Sequence, residues 1–171
     1  MRELELSGGY SCLVDDDDYD FLNQFQWCCN DNGSGYKCAM RAHPVEGRPN
    51  IRMHRMLTAA MPGDMVDHKD GNSLNNQRSN LRLCTRSQNT ANSKPQESKK
   101  YSNYRGVSVV KDRTKTRQYW TAQARKDGVL HHVGCFPTEE DAALAYDKKA
   151  VELHGEFAKI NFPQLLPQAA R

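Results

Sequence analysis

Residues 94–103 (Lys94-Pro95-Gln96-Glu97-Ser98-Lys99-Lys100-Tyr101-Ser102-Asn103) carry no apolar periodicity and are dominated by Pro, Ser and Lys. Such a stretch offers no apolar face to bury, so it reads as a linker. It divides the 171-residue chain into two patterned parts, neither long enough for a large core. Composition agrees. Hydrophobic residues make up 37%, and counting glycine in place of tyrosine still leaves the chain below the ~45–50% of ordinary globular domains. Two modules with thin cores are therefore expected. No apolar run approaches the ~18 residues of a membrane helix. Met1 is followed by Arg2-Glu3-Leu4-Glu5, not by an apolar stretch, so no secretory leader is expected.

The six cysteines (Cys12, Cys28, Cys29, Cys38, Cys84, Cys135) form neither CxxC pairs nor an even framework. Free thiols in the reducing interior of a cell are expected. A zinc set of Cys28, Cys29, Cys38 and His43 is conceivable, but adjacent cysteines rarely both face one tetrahedral ion. The net charge of +3 hides a strong asymmetry: residues 1–49 carry −5, 50–98 carry +3, 99–127 carry +7 and 128–171 carry −2. Basic charge gathered in one stretch is the footprint of a polyanion partner, although a solvated face has the same composition.

Residues 1–53 read as a β-rich entry region. Tyr10–Val14 reads as a strand, and Asp15–Asp18 suits a helix N-terminus leading into Tyr19, Phe21, Leu22 and Phe25. Four consecutive carboxylates point in different directions, which argues against a metal site there. Asn32-Gly33-Ser34-Gly35 marks a hairpin turn between 26–29 and 36–40. In the second part, Trp120, Ala122 and Ala124 alternate with Tyr119, Thr121, Gln123 and Arg125. Lys126-Asp127-Gly128 turns the chain into a strand at 129–136. Thr138 then caps a helix with Glu139, Glu140 and Asp141 in its first turn and Gly155 beyond its end. Ala142, Ala145, Tyr146, the Lys149 stem and Leu153 are expected to form its apolar stripe.

The chemistry is concentrated between Val66 and Asn92. A short strand ends on Asp67-His68, Asp70-Gly71-Asn72 turns, and Leu81 and Leu83 alternate on a return strand. Thr85 with Gln88 then opens a helix carrying Asn89. Strand, loop, strand and helix bring Asp67, His68 and Asn89 within reach of one point. Phosphodiester hydrolysis needs an activated water, charge neutralisation on the phosphorane and stabilisation of the leaving oxyanion; one hard cation can supply the last two. Asp67 and Asn89 offer oxygen ligands suited to Mg²⁺ or Mn²⁺. His68, pointing to the other side of the strand end, is a competent base near neutral pH. An EF-hand reading fails, because Lys69 and Gly71 stand at ligand positions. The bland alternative is an Asn/Gly-rich loop between strands.

Asp67-His68, Asn80 and Asn89, at intervals of twelve and nine residues, resemble the HNH endonuclease motif. The run Asp67-His68-Lys69-Asp70-Gly71-Asn72, with Asn80-Leu81-Arg82 behind it, looks most like the phage homing-endonuclease branch. There Asn commonly replaces the final His, as at Asn89. The resemblance implies one divalent ion, Mg²⁺ or Mn²⁺, held by Asp67 and Asn89. His68 and Asn80 would be the catalytic pair, with Asn80 holding the loop and orienting His68. His54, Arg55, Arg82 and Arg86 are candidates for phosphate contact.

Tyr104-Arg105-Gly106-Val107, Tyr119-Trp120-Thr121-Ala122, Gly134-Cys135-Phe136, Ala145-Tyr146-Asp147 and Asn161-Phe162-Pro163 together resemble an AP2 DNA-binding domain. That resemblance implies a three-stranded antiparallel sheet laid in the major groove and backed by one helix. Arg105, Thr121, Gln123, Arg125 and His132 would face DNA, with Arg105 and Arg125 the candidates for guanine readout. Lys111, Arg113, Lys115 and Arg117 would contact phosphates. The plant family has Arg at the position of Ser108 and Trp at that of His132, so no base preference carries over.

The expected fold class is α+β: a ββα-metal nuclease domain with its β-rich entry region over 1–93, a linker over 94–103, an AP2-like domain over 104–163 and a tail over 164–171. The expected function is metal-dependent DNA endonuclease of homing type, acting on double-stranded DNA in a bacterial host or its phage. Neither a membrane nor a small-molecule cofactor is expected. A DNA-binding regulator with an inert nuclease fold, or an HNH nuclease of phage packaging or defence, are the alternatives.

Overall fold

The computed structural model describes residues 1–31, 33, 36–93, 102–111 and 118–165. They fall into two compact units, Met1–Thr85 and Arg86–Arg171. The unit boundary thus lies between Thr85 and Arg86, ahead of the polar 94–103 stretch.

In the first unit, β1 (Arg2–Leu6) and β2 (Tyr10–Val14) form an antiparallel hairpin pairing Leu4 with Cys12 and Arg2 with Val14. Strand alternation sends Leu4, Leu6, Cys12 and Val14 to one buried face. Helix α1 (Asp16–Leu22) follows Asp15, as the acidic run predicts, and buries Leu22. Strands β3 (Cys28–Asp31), β4 (Lys37–Arg41) and β5 (Ile51–Arg52) make a second antiparallel sheet in that order. The short helix α2 (Met53–Leu57) continues directly from β5. Strands β6 (Met65–His68) and β7 (Leu81–Cys84) form a two-stranded antiparallel ladder. One core joins them, with Leu4, Val14, Leu22, Trp27, Met53 and Leu81 at its centre. Trp27 lies inside it because its indole N–H finds the Leu22 carbonyl at 2.9 Å.

The second unit begins with helix α3 (Arg86–Asn92). Strands β8 (Val107–Lys111), β9 (Gln118–Lys126) and β10 (Val129–Phe136) form one antiparallel sheet with β9 central. Asp127 (φ 51°) and Gly128 (φ 82°) turn β9 into β10 with the paired positive dihedrals of a tight hairpin. Helix α4 (Glu139–His154) has Thr138 as its N-cap, the Thr138 hydroxyl accepting from Asp141 N at 3.1 Å, and Gly155 follows its last turn. Ala122 and Ala124 of β9 are buried with Ala142, Ala143, Tyr146 and Ala150 of α4. The buried stripe on α4 is wider than expected. Asp147 and Ala150 are buried in addition to the expected positions, and Lys149 is half-buried with its ammonium donating to Glu152 at 2.7 Å. Burial of Asp147 is satisfied locally, because its carboxylate accepts from Asn161 N (2.8 Å), Asn161 Nδ2 (2.9 Å) and Phe162 N (2.8 Å). No helix among the described residues is long and apolar enough to cross a membrane.

Candidate active site

β6 ends at Asp67-His68 because the chain then turns back on itself. Lys69 N donates to Asn80 O at 2.9 Å and Gly71 N to His68 O at 2.9 Å, with Gly71 at φ 73°. Asp70 and Asn72 then cap their own downstream amides, accepting from Asn72 N (2.8 Å) and Leu74 N (3.1 Å). Asn80 closes the loop from the far side. Its Oδ1 accepts from Asp70 N at 3.1 Å, and its Nδ2 donates to Asp70 Oδ1 at 3.0 Å and to Asn75 O at 2.9 Å. Burial raises the Asp70 carboxyl, but the Asn72 amide and the Asn75 and Asn80 side chains outweigh it and hold the carboxyl below its usual range.

The acidic run at Asp15–Asp18 does more than start a helix. The Asp15 carboxylate accepts from Arg78 N (2.7 Å) and Gln77 Nε2 (3.2 Å). Arg78 forks onto Asp18 at 2.7 and 2.8 Å and donates to Leu57 O at 3.0 Å. Leu13 adds two backbone bonds, to Leu74 O at 2.9 Å and from Asn76 N at 2.8 Å. The β6–β7 loop is therefore bolted to β2 and α1, which fixes the direction in which the end of β6 points. Sequence reasoning missed Arg78 entirely; its signal was a lone Arg in a polar loop, which has no partner until the loop folds onto α1.

Within the ladder, Asp67 stands opposite Arg82 and His68 opposite Leu81. Opposed residues share a face, so Asp67 and Arg82 meet as a nearly buried ion pair at 2.9 Å. Arg82, a candidate phosphate contact, is thus engaged with Asp67. His68 is turned the other way, toward the core residue Leu81. Its ring meets that of His54 edge-on, with centroids 5.3 Å apart. Burial lowers the His68 pKa, against the opposing pull of the Asn76 amide, Asp70 and Asp67. The imidazole is accordingly neutral at neutral pH, the form that can accept a proton.

His54 is 5% exposed, inside α2, with Cys38 Sγ 3.8 Å from its Nδ1. It lies behind His68, which gives it a supporting place and not a surface one. Asn76, which has no exposed surface, lies beside both His68 and the Cys12 thiol. Only the backbone path through the loop reveals Asn76, so its sequence position gave no signal. Arg55 caps the turn after α2, donating to Asp64 O and Met61 O at 2.7 Å each. The zinc set of Cys28, Cys29, Cys38 and His43 is not assembled: among the described residues no three His, Cys, Asp or Glu side chains gather to hold a metal.

Arg86 and Asn89 lie on α3 in the second unit, Arg86 exposed and Asn89 half-buried. On the sheet face away from α4, Thr121, Gln123 and Arg125 alternate as expected, with His132 opposite Gln123. Thr121 is buried, 3.3 Å from His132 Nε2, while Arg125 and His132 are exposed. Lys111 pairs with Gln118 and so takes the parity of Trp120. Arg113, Lys115 and Arg117 lie outside the described residues. Arg105 does not lie open; its guanidinium is bonded to Thr90 O, Ser93 O and the Tyr146 hydroxyl.

The donor chemistry here fits a hard divalent cation. In the first unit Asp67 brings a carboxylate, which Arg82 also pairs at 2.9 Å, and the neutral His68 ring next to it adds no positive charge. With so few protein oxygens, water and phosphate would complete the shell, as Mg²⁺ prefers.

His54 also makes a stability prediction. Burial, with the nearby charges of His68, Arg52 and Arg55, pushes its pKa down to about 3. The unfolded chain takes up this proton near pH ~6.5 while the folded chain refuses it, so stability falls as pH drops through that interval. Urea unfolding at pH 7 and at pH ~4.5 should show a pH-dependent loss about 2 kcal/mol larger in the wild type than in His54→Gln. Equal slopes would remove His54 as the cause.

The HNH endonuclease family profile matches residues 59–91, which span β6, the loop, β7 and most of α3. The chain is 32% identical over 160 residues to a protein of Acanthamoeba polyphaga mimivirus named as an uncharacterized HNH endonuclease, covering 90% of this chain and 75% of that one. It is also 32% identical over 113 residues to Protein 3.8 of Escherichia phage T7, covering 66% of this chain and 88% of that one. No solved structure matches the chain.

Proposed function

Because this chain belongs to the HNH endonuclease family, we propose that it hydrolyses phosphodiester bonds of double-stranded DNA with one Mg²⁺ or Mn²⁺ ion. The observation that carries this reading is the end of β6, where a nearly buried Asp67 carboxylate adjoins a buried, neutral His68 imidazole. Asp67 and Asn89 would hold the cation, which when bound neutralises charge on the phosphorane and on the leaving oxygen. His68 takes the proton of the attacking water on an imidazole nitrogen, which its neutral form leaves able to accept. Asn80 holds the loop so that β6 delivers Asp67 and His68 to opposite sides of one strand end. Arg82, donating to Asp67 Oδ2 at 2.9 and 3.0 Å, fixes the rotamer of that carboxylate.

The second unit acts as an AP2-like DNA-binding module in this reading. Gln123, Arg125 and His132, on the sheet face not covered by α4, are its candidate contacts to the major groove, with Lys111 and the basic stretch through Arg117 on phosphates. Its three-stranded order and single backing helix support that assignment. A site-directed nuclease of homing type follows from joining the two.

Supercoiled plasmid incubated with the full chain should become nicked or linear with Mg²⁺ or Mn²⁺ and stay supercoiled with EDTA. Plasmid left intact with every metal, but still shifted on a gel, would make the protein a DNA-binding regulator.

A further inference from the structure

On the sheet face turned away from α4, Val110 of β8 stands opposite Tyr119 of β9, and Leu130 of β10 stands opposite Arg125. Val110 is 46%, Tyr119 37% and Leu130 51% exposed. An antiparallel sheet with one wet face ordinarily carries polar side chains there, so large apolar groups gathered on it mark a contact surface. Only the middle of the face is polar. Gln123 stands opposite His132, and the buried Thr121 hydroxyl lies 3.3 Å from His132 Nε2. Apolar groups thus flank a carboxamide on both sides.

Charge identifies what covers this face. None of its described residues is acidic. Arg125 and Lys126 close β9 at one end, and Lys111 closes β8 at the other. All three belong to the stretch 99–127, which carries +7. An apolar protein partner, or a second copy of this chain, would set these cations against one another or bury them. A polyanion with small apolar groups between its charges suits both features. Duplex DNA is such a polyanion: phosphates border the major groove, and the thymine C5-methyl is the apolar group on its floor.

Guanine is the poorer match. Reading it needs an arginine fork free for the base edge, and the Arg105 fork is engaged by Thr90 O at 3.0 Å and by Ser93 O, with Nε on the Tyr146 hydroxyl. Arg125, the one guanidinium among the described residues of the open face, sits at the turn and donates to Gly128 O at 3.4 Å. Gln123, at the centre, has the donor and acceptor pair that adenine N7 and N6 require.

We infer that the open face of this sheet selects A·T pairs, with Gln123 reading adenine and with Val110, Tyr119 and Leu130 packing on thymine C5-methyl groups. This selection rests on the reading of the second unit as a DNA-binding module, and it names the base pairs that module prefers.

The test uses the full chain in EDTA at one salt concentration, since phosphate contacts make affinity salt-dependent. Duplexes selected from a random-sequence library should carry A·T pairs at the centre of the bound site. In the selected duplex, uracil in place of thymine removes only the C5-methyl. Fluorescence anisotropy should then show affinity falling about fourfold for each methyl that was packed. Leu130→Ala and Val110→Ala, both at exposed positions, should each reduce that sensitivity to uracil by about fourfold. Gln123→Ala should cut discrimination against guanine at one adenine position by about 10-fold. G·C-centred sites, no enriched sequence, or equal affinity for the thymine and uracil duplexes would overturn the inference while leaving DNA binding intact. Uracil sensitivity unchanged in both alanine variants would assign the methyl contacts elsewhere and overturn it as well. So would a Leu130→Ala chain that changes its sedimentation but not its duplex binding, which would make the face a contact between copies. Failure to bind any duplex would remove the DNA-binding reading first, and this inference with it.

Discussion

His68→Ala is expected to lower the rate of metal-dependent plasmid nicking by about 10²–10⁴-fold, the usual worth of a positioned general base. The size of the effect follows from where the ring sits. His68 is 7% exposed, so water outside the site cannot easily take over the proton that the imidazole accepts. Its neighbours are arranged to keep the ring in place, with His54 edge-on at 5.3 Å and the Asn76 amide alongside. Removing a buried ring also leaves a cavity beside His54, so some loss of stability accompanies the loss of rate. His68→Asn fills most of that space and separates the two effects. Both variants should be slow, and only the alanine should unfold earlier on heating. Duplex binding in EDTA should survive in both. A His68→Asn protein that nicks within about threefold of wild type would exclude His68 as the base.

Much of this molecule could be read from local pattern, and what escaped was long-range. The hairpin at Lys126-Asp127-Gly128, the Thr138 cap, the end of α4 at Gly155 and the alternation of β9 are all set within a few residues, so sequence spacing suffices. The same holds for Asp67-His68 at a strand end, because Asp70-Gly71-Asn72 can only turn. By contrast, Asp15 and Asp18 reach Arg78 across sixty or more positions, and Asp147 is buried only because Asn161 and Phe162 fold back over it. Neither partner in such a pair signals the other. Arg105 is the sharpest case. A motif match places it at the start of a DNA-binding sheet, where an exposed arginine is the natural expectation. Its actual partners are carbonyls of a helix that begins 19 residues earlier, and no periodicity connects the two segments.

Gly106→Ala is expected to be the most damaging single methyl in the second unit. Gly106 adopts φ 72°, which any other residue enters at a cost of roughly 1 kcal/mol. Conformation is the smaller part of the problem. A Cβ there would lie 2.0 and 2.2 Å from two carbons of the Tyr146 ring and 2.8 Å from the Gln123 carbonyl oxygen. A ring at the far end of a flexible chain could swing away, but Tyr146 is packed among Ala122, Ala142 and Ala150 and its hydroxyl holds Arg105. The Gln123 carbonyl belongs to the central strand, so it cannot yield without breaking the ladder. Overpacking of this kind typically costs about 1–3 kcal/mol, and the backbone strain adds to it. We therefore expect a loss of about 3 kcal/mol or more, a large share of the stability of a unit this small. Thermal unfolding followed by near-ultraviolet circular dichroism should show the second unit melting well before the first. A Gly106→Ala protein that melts within about 2 °C of wild type would mean that Tyr146 can repack, and that the close approach of ring to backbone is incidental.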